Sequence, residues 1–294
     1  MKFPFQTVAL IGKHKAPEIA EPLLRLAAFL SAQGVKVVVD SLTAEHLAGN
    51  LNDQSYPALT LDEIGRAVDL AIVMGGDGTM LNITRVLSPC GIPLIGVNQG
   101  RLGFLTDLTL ENMQEKLTAM LAGKFIIEER LLIAARVLRG DVEVFRALAF
   151  NEVVVHRSHI SSMVEFEVRI DGEYLSNQRA DGLIVATPTG STAYALSAGA
   201  PILHPNLNVL ELVPICPHSL SNRPIVVNSS SVLEILMHRS GDIRVRFDSH
   251  TQFDLQLHDK IIVTGHPQRA CLLHPEGHSY YHTLREKLLW NQTL

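Results

Sequence analysis

Five consecutive residues, Gly75-Gly76-Asp77-Gly78-Thr79, have the types and spacing to handle a phosphate. They follow an apolar run at 69–74 and precede a helical pattern at 79–87, so they form a strand-to-helix turn. Glycines there let backbone N–H groups approach phosphate oxygens and permit positive φ, and the helix start adds partial positive charge. The Asp77 carboxylate beside that phosphate can accept a proton from a substrate hydroxyl, orient the hydroxyl for in-line attack, or help place Mg²⁺. The plainer alternative is a tight turn in which Asp77 only caps the helix. Neither G-x-x-x-x-G-K-[ST] nor G-x-G-x-x-G occurs: the turn after the first apolar run reads Gly12-Lys13-His14-Lys15. An ordinary P-loop ATPase and an ordinary nicotinamide dehydrogenase both lose ground.

Three further polar blocks interrupt apolar runs. Residues 96–106 read Gly-Val-Asn-Gln-Gly-Arg-Leu-Gly-Phe-Leu-Thr, and Asn151-Glu152 precedes Val153 to Val155. Asp181 opens the run 182–185, which leads to Thr187-Pro188-Thr189-Gly190-Ser191-Thr192-Ala193-Tyr194. Hydroxyls at Ser191 and Thr192, before a helical run that includes Leu196, can meet a ribose, an adenine edge or a phosphate; an N-capped helix is the structural alternative. Asn151 and Glu152 suit adenine and ribose hydroxyls, although a polar pair at a strand start is by itself more often solvated. Arg179 reads equally as an exposed charge.

The first block resembles the GGDGT motif shared by NAD kinases, diacylglycerol and sphingosine kinases and, more distantly, phosphofructokinases. The other blocks are similar to the GxNxGxLGFLT, NE(V/I) and D-G…T-P-T-G-S-T-A-Y segments of bacterial NAD kinases, and the likeness runs from the first strand to the C-terminal tail. It implies transfer of the γ-phosphoryl group of ATP to the 2′-hydroxyl of the adenosine ribose of NAD, with Asp77 catalytic and Mg²⁺ arriving with the nucleotide. The resemblance assigns ligand binding to Gly75, Gly76, Gly78, Thr79, Asn98, Asn151, Glu152, Arg179, Asp181, Thr189, Thr192, Ala193, Tyr194, Ala195, Leu196, Ser197 and His250, with Asp181 near the nicotinamide part. It implies a homodimer or homotetramer, and no metal is expected to be held by the protein alone; a cytoplasmic location is expected from the unpaired cysteines. Ala195 and Ala200 stand where many relatives have Ser and Gly, Asp248-Ser249-His250 where many have an Asp-Gly-Gln turn, and Ser162 where a longer polar side chain is common. The rivals are a lipid kinase of the same motif group and a non-catalytic NAD-binding regulator.

The surrounding pattern supplies the elements that must hold these residues. Apolar runs at 7–11, 35–39, 70–74 and 93–97 alternate with helical periodicity at 17–33 and 79–87, around a polar loop at 50–60. Unbroken rather than alternating hydrophobicity predicts parallel strands covered on both faces. From about residue 125 the pattern changes to short strands at 133–138, 151–155, 164–170, 182–187, 232–237, 243–247 and 260–263, with hairpin turns at Asp171-Gly172 and Ser240-Gly241-Asp242. The expected architecture is an α/β N-terminal domain with an open, mostly parallel sheet, residues 1–103 rejoined by 268–294, plus a β-rich, sandwich-like domain, 104–267. NAD is expected in the cleft between them, and a short amphipathic helix at 283–290 closes the chain.

Composition bounds the remaining possibilities. With 294 residues, 47% hydrophobic and 19% charged, the chain can bury two ordinary cores and reads as ordered throughout. A net charge of -5 without long Lys/Arg runs excludes a nucleic-acid surface. The N-terminus reads as a first strand rather than a signal peptide, and no apolar run approaches the ~20 residues of a membrane span. Cys90, Cys216 and Cys271 lack any C-x-x-C pairing and read as reduced core thiols. His156 and His159 have no third ligand at zinc spacing. Asn291-Gln292-Thr293 matches a glycosylation triplet that matters only in a secreted chain.

Overall fold

A computed structural model describes residues 5–47, 56–100, 103–157, 163–239 and 242–290, the side chain of His46 excepted. Arg101, Leu102, His159, Ser162, Ser240, Gly241, the glycosylation triplet and positions 50–55 of the polar loop lie outside the described residues. The strands are β1 (Thr7–Gly12), β2 (Lys36–Asp40), β3 (Ala58–Leu59), β4 (Leu70–Met74), β5 (Leu94–Asn98), β6 (Leu108–Thr109), β7 (Phe125–Arg130), β8 (Ile133–Arg139), β9 (Val142–Ala149) and β10 (Glu152–Arg157). They continue as β11 (Val164–Ile170), β12 (Glu173–Ala180), β13 (Gly182–Ala186), β14 (Val209–Ile215), β15 (Ile225–Asn228), β16 (Leu233–Met237), β17 (Ile243–Phe247), β18 (Thr251–Leu255), β19 (Lys260–Gly265) and β20 (Ala270–Pro275). The helices are α1 (Ala20–Ala32), α2 (Ser41–Leu47), α3 (Leu61–Ala67), α4 (Asp77–Leu87), α5 (Met113–Leu121), α6 (Tyr194–Ser197) and α7 (Tyr280–Leu288).

The chain divides into two compact units, Met1–Glu129 with Ala270–Leu294, and Arg130–Arg269. Sequence patterning puts the first boundary at 103/104. Residues 104–129 instead belong to the first unit, because β6 pairs with β5 and α5 buries Met113, Leu117, Met120 and Leu121 in that unit's core. The first unit's sheet has the order β3-β2-β1-β4-β5-β20-β7. β1 lies parallel to both β2 and β4, so the winding reverses between β1 and β4. Ligands of open α/β sheets collect outside the carboxyl ends of the strands at such a reversal. Every residue of β4 is fully buried, as the unbroken run Leu-Ala-Ile-Val-Met requires. The stretch expected as a polar loop, 50–60, ends in β3 and in Thr60, the N-cap of α3. Thr60 and Glu63 form a reciprocal capping box there, Thr60 N donating to Glu63 Oε2 at 2.8 Å, which starts α3.

The second unit is two six-stranded antiparallel sheets, β15-β14-β13-β10-β17-β18 and β12-β11-β16-β19-β8-β9. Alternate residues of both meet in one core, Val153, Val155, Leu183 and Val245 with Ile133, Val137, Phe166 and Ile261. Asp171 (φ 52°) and Gly172 (φ 83°) turn β11 into β12 as a two-residue hairpin. The far side of the first of these sheets is also covered: Val154, Ile184, Ala186 and Val213 pack against Ala195 and Ala200.

On β14, Glu211 is fully buried and neither carboxylate oxygen has a partner. Burial pushes its pKa up to about 7. A raised carboxylate pKa favours the fold below the unfolded value, near 4.5, and that contribution disappears as pH rises through 7. Glu211→Gln is therefore expected to match the natural protein in urea at about pH 4 and to exceed it by on the order of 1–3 kcal/mol at pH 8.5. Equal midpoints at both values would contradict this. Cys90 and Cys216 are exposed and Cys271 partly so, which corrects the expectation of core thiols; all three are free.

Candidate functional site

The glycine turn leaves β4 at Met74 and enters α4 at Asp77, with Gly76 as the N-cap in extended geometry (φ -95°, ψ -175°). None of Gly75, Gly76 and Gly78 has positive φ, so their use here is space. A Cβ on Gly75 would lie 2.7 Å from Thr79 Oγ1, whereas Gly76 and Gly78 face nothing within 4 Å. The open glycines leave the first turn of α4 accessible, where N–H groups have no intrahelical acceptor.

Asp77 does not cap its own helix. Its carboxylate turns to the segment after β5, with Oδ2 accepting from Phe104 N and Oδ1 from Leu105 N, both at 2.9 Å. Gly103 makes the approach possible: a Cβ there would sit 2.1 Å from Asp77 Oδ1 and 2.3 Å from Thr106 Oγ1. Asn98, at the end of β5 and nearly buried, accepts Gly100 N at 3.1 Å. The first unit thus carries a partly exposed carboxylate, held by two backbone amides, beside the open glycine turn.

In the second unit an open cleft of about 350 Å³ is lined by Glu152, His156, Arg157, Asp181, Tyr194, Arg246, Asp248 and Ser249, with Val154 and Ile215. That volume is at the small end of ligand pockets and suits part of a cofactor, of about nucleoside size. Glu152, Asp181 and Tyr194 are the sequence-predicted members. Asp248 organises one wall: Oδ2 accepts Phe150 N at 2.9 Å, and Oδ1 accepts Asn151 N at 2.8 Å and Glu152 N at 3.1 Å. Glu152 is not the solvated strand-start residue that its type suggests. It is 9% exposed, with Oε2 unpartnered, and burial together with the Asp248 charge pushes its pKa up to about 8 against the pull of Arg246. At neutral pH it is a carboxylic acid able to donate a hydrogen bond. Asp181 pairs with Arg157 at 3.0 Å, and burial holds the His156 imidazole below its usual pKa.

The Thr187–Tyr194 block is more structural than its hydroxyls suggest. Ser191 is buried, donating to Pro188 O at 2.7 Å and accepting from Leu203 N at 2.9 Å. Thr192 donates to Thr189 O at 3.2 Å, and Thr189 accepts from the buried Arg130 guanidinium at 3.2 Å. A Cβ on Gly190 would lie 2.3 Å from Asn151 O, so this turn seats directly on the Asn151-Glu152 strand start. Ala193 and Leu196 are partly exposed, Tyr194 and Ser197 exposed, while Ala195 points its methyl into the small apolar cluster. Arg179, exposed on β12, does not line the cleft. His250 lies in the β17–β18 turn, its Nδ1 2.9 Å from Ser249 Oγ. Arg157, Arg246 and Asp248 escaped notice as site residues because register, not spacing, gathers them: β10 pairs Val154 with Arg246.

A glycine turn opening a helix at the carboxyl end of a central parallel strand, with a fixed carboxylate at its mouth, defines a phosphoryl-transfer enzyme of the open α/β class. Residues 8–125 match the model of the ATP-NAD kinase N-terminal domain and residues 150–274 that of the ATP-NAD kinase C-terminal domain. The chain belongs to the ATP-NAD kinase family. It is 57% identical over 290 residues to the NAD kinase of Nitrosomonas europaea, covering 99% of this chain and 97% of that one. With the NAD kinase of Burkholderia thailandensis it shares 52% identity over 288 residues, covering 98% and 95%. Among solved structures it superposes on yeast NADH kinase complexed with NADH at a TM-score of 0.90 and 27% identity, covering 99% and 89%. The NAD kinase from Archaeoglobus fulgidus in complex with ATP gives 0.74 at 26% identity, covering 96% and 98%. No helix among the described residues is long and apolar enough to cross a membrane.

Proposed function

We propose that Asp77 is the group on which the chemistry of this kinase turns. The chain transfers the γ-phosphoryl group of ATP to the 2′-hydroxyl of the adenosine ribose of NAD, giving NADP, and Asp77 takes the hydroxyl proton as the oxygen attacks. The observation that carries this reading is the pair of amides, Phe104 and Leu105, that aim both oxygens of a partly exposed carboxylate beside the glycine turn. Gly75, Gly76, Gly78 and Thr79 bind phosphate, and Asn98 shapes the same end of the sheet. The second unit holds the dinucleotide: Glu152 as a neutral donor with Asn151 to adenosine, Asp181 and Arg157 to the nicotinamide half, and Thr189, Thr192 and Tyr194 along the rim.

Each Asp77 oxygen keeps a lone pair beyond its amide, and that donor chemistry fits a Mg²⁺ ion carried in by ATP. Held there, the ion would supply positive charge to the phosphates. NADP formation is expected to stop when EDTA exceeds Mg²⁺ and to return when Mg²⁺ is added; turnover unaffected by EDTA would contradict the assignment. The homo-oligomer implied by the family joins the proposal, supported by the exposed Val142 and Val144 on the edge strand β9.

Gly103→Ala tests the aim of the carboxylate. The added methyl must displace Asp77 Oδ1, and a misplacement of about 1 Å costs ~10²-fold in rate. The expected result is a kcat lowered by roughly that factor with KM for NAD little changed. A natural kcat would mean that the geometry of Asp77 is irrelevant.

A further inference from the structure

The segment that clamps Asp77 is anchored at its far end by a buried ionic cluster. Asp107 directly follows it and is 11% exposed; Oδ2 meets Nδ1 of His274 on β20 and lies 3.1 Å from Nδ1 of His278. His274 is 2% exposed, and its Nε2 lies 2.9 Å from Glu128 Oε2 on β7. An imidazole with a carboxylate at each nitrogen donates to both only as the imidazolium. Burial opposes that charge, yet hydrogen bonds to Asp107 and Glu128 raise its pKa to about 9. Burial likewise works against the Asp107 charge, but hydrogen bonds from His274 and His278 hold its carboxyl well below the usual range.

Asp107, His274 and His278 also have the composition of a metal site. Their arrangement argues for a proton instead. The two imidazoles are face-stacked, with centroids 3.9 Å apart and planes 15° apart. Stacked, near-parallel rings are poorly disposed to ligate one ion in their own planes, and the carboxylates at both nitrogens of His274 already match an imidazolium.

The anchor is mechanically close to the reacting carboxylate. Between Asp107 and the two clamping amides lies only Thr106, fully buried, and the segment is pressed onto β5: a Cβ on Gly96 would lie 2.5 Å from Leu105 O. Immediately beyond Asp107, β6 joins β5 through Leu108 and Val97. We propose that His274 is a positioning residue for phosphoryl transfer: by locking Asp107 it fixes residues 103–107, whose Phe104 and Leu105 amides aim Asp77. This rests on the reading of Asp77 as the group that receives the hydroxyl proton. It gives the C-terminal strand, far from the glycine turn in sequence, a part in the chemistry.

Asp107→Asn keeps the volume and removes the charge that holds the imidazolium, and His274→Gln keeps one donor while removing the other. Each is expected to lower kcat by on the order of 10- to 100-fold, with KM for NAD and for ATP within about twofold and the urea midpoint measured alongside. Amide exchange at Phe104 and Leu105 should quicken in both variants, a readout that needs no turnover. In an Asp77→Asn background, Asp107→Asn should cost nothing further, because its effect passes through Asp77. A natural kcat in the folded single variants, or an undiminished loss in that background, would overturn the proposal while leaving the role of Asp77 intact. Full activity of Asp77→Asn alone would overturn that role and the positioning proposal together.

Discussion

Asp77→Asn is expected to lower kcat for NADP formation by about 10³-fold, within the range general-base removal produces, while the dissociation constant for NAD stays within twofold. The asparagine keeps the shape of the side chain and can still accept one of the two amides, from Phe104 or Leu105. What it loses is the capacity to take a proton and half of the clamp. Because the side chain is only partly buried, the fold should tolerate the change, and any fall in rate belongs to the chemistry. Asp77→Glu sharpens the test. The extra methylene has no room against Gly103, so restoring the carboxylate without its position is expected to rescue little activity. A kcat within a few-fold of natural in Asp77→Asn would assign the proton to another acceptor.

The second large effect is expected at Asp248, where one side chain supports both stability and the cleft. Asp248→Ala strands the N–H groups of Phe150, Asn151 and Glu152, two of which belong to buried residues. Removing a buried acceptor with three donors costs on the order of 3–5 kcal/mol. The same substitution removes the negative charge that helps keep Glu152 protonated, so the pKa of Glu152 should fall toward its ordinary range. A donor in the cleft then becomes an anion, and NAD affinity is expected to drop by at least about tenfold, one charge-assisted contact's worth. Urea unfolding and isothermal titration with NAD measure the two consequences separately. A variant as stable as the natural protein, with unaltered NAD binding, would show that Asp248 is a turn residue and nothing more. Its left-handed backbone, φ 50°, makes Asp248→Asn the milder control, since Asn tolerates that conformation.

How far the sequence discloses this site depends on whether its parts are local. The glycine turn, Asn151-Glu152 and the Thr187–Tyr194 block are contiguous, and the β4 and β13 runs that carry them are apolar on both faces, so motif and element are visible together. Arg246 and Asp248 meet the β10 residues only through antiparallel register across some ninety positions, which no spacing rule reveals. The capping box at Thr60 and Glu63 was open to inspection, as a T-x-x-E pattern before Ile64, but sits in a stretch whose polarity reads as loop. The Asp107–His274 lock joins residues 167 positions apart, and nothing in either neighbourhood signals the other. The glycine turn shows the converse limit: its residue types are diagnostic, yet their use is open space and not the positive φ that glycine also permits.

The central claim, that this chain phosphorylates the adenosine ribose of NAD from ATP, is tested most directly by one incubation with NAD, Mg²⁺ and γ-labelled ATP. The product is assayed with an NADP-specific dehydrogenase, and the label is located by phosphorus NMR. The account predicts ATP-dependent NADP with the label on the 2′-oxygen. NAD bound without any NADP, or label transferred to another acceptor, would contradict it, the former leaving a non-catalytic NAD-binding protein in its place.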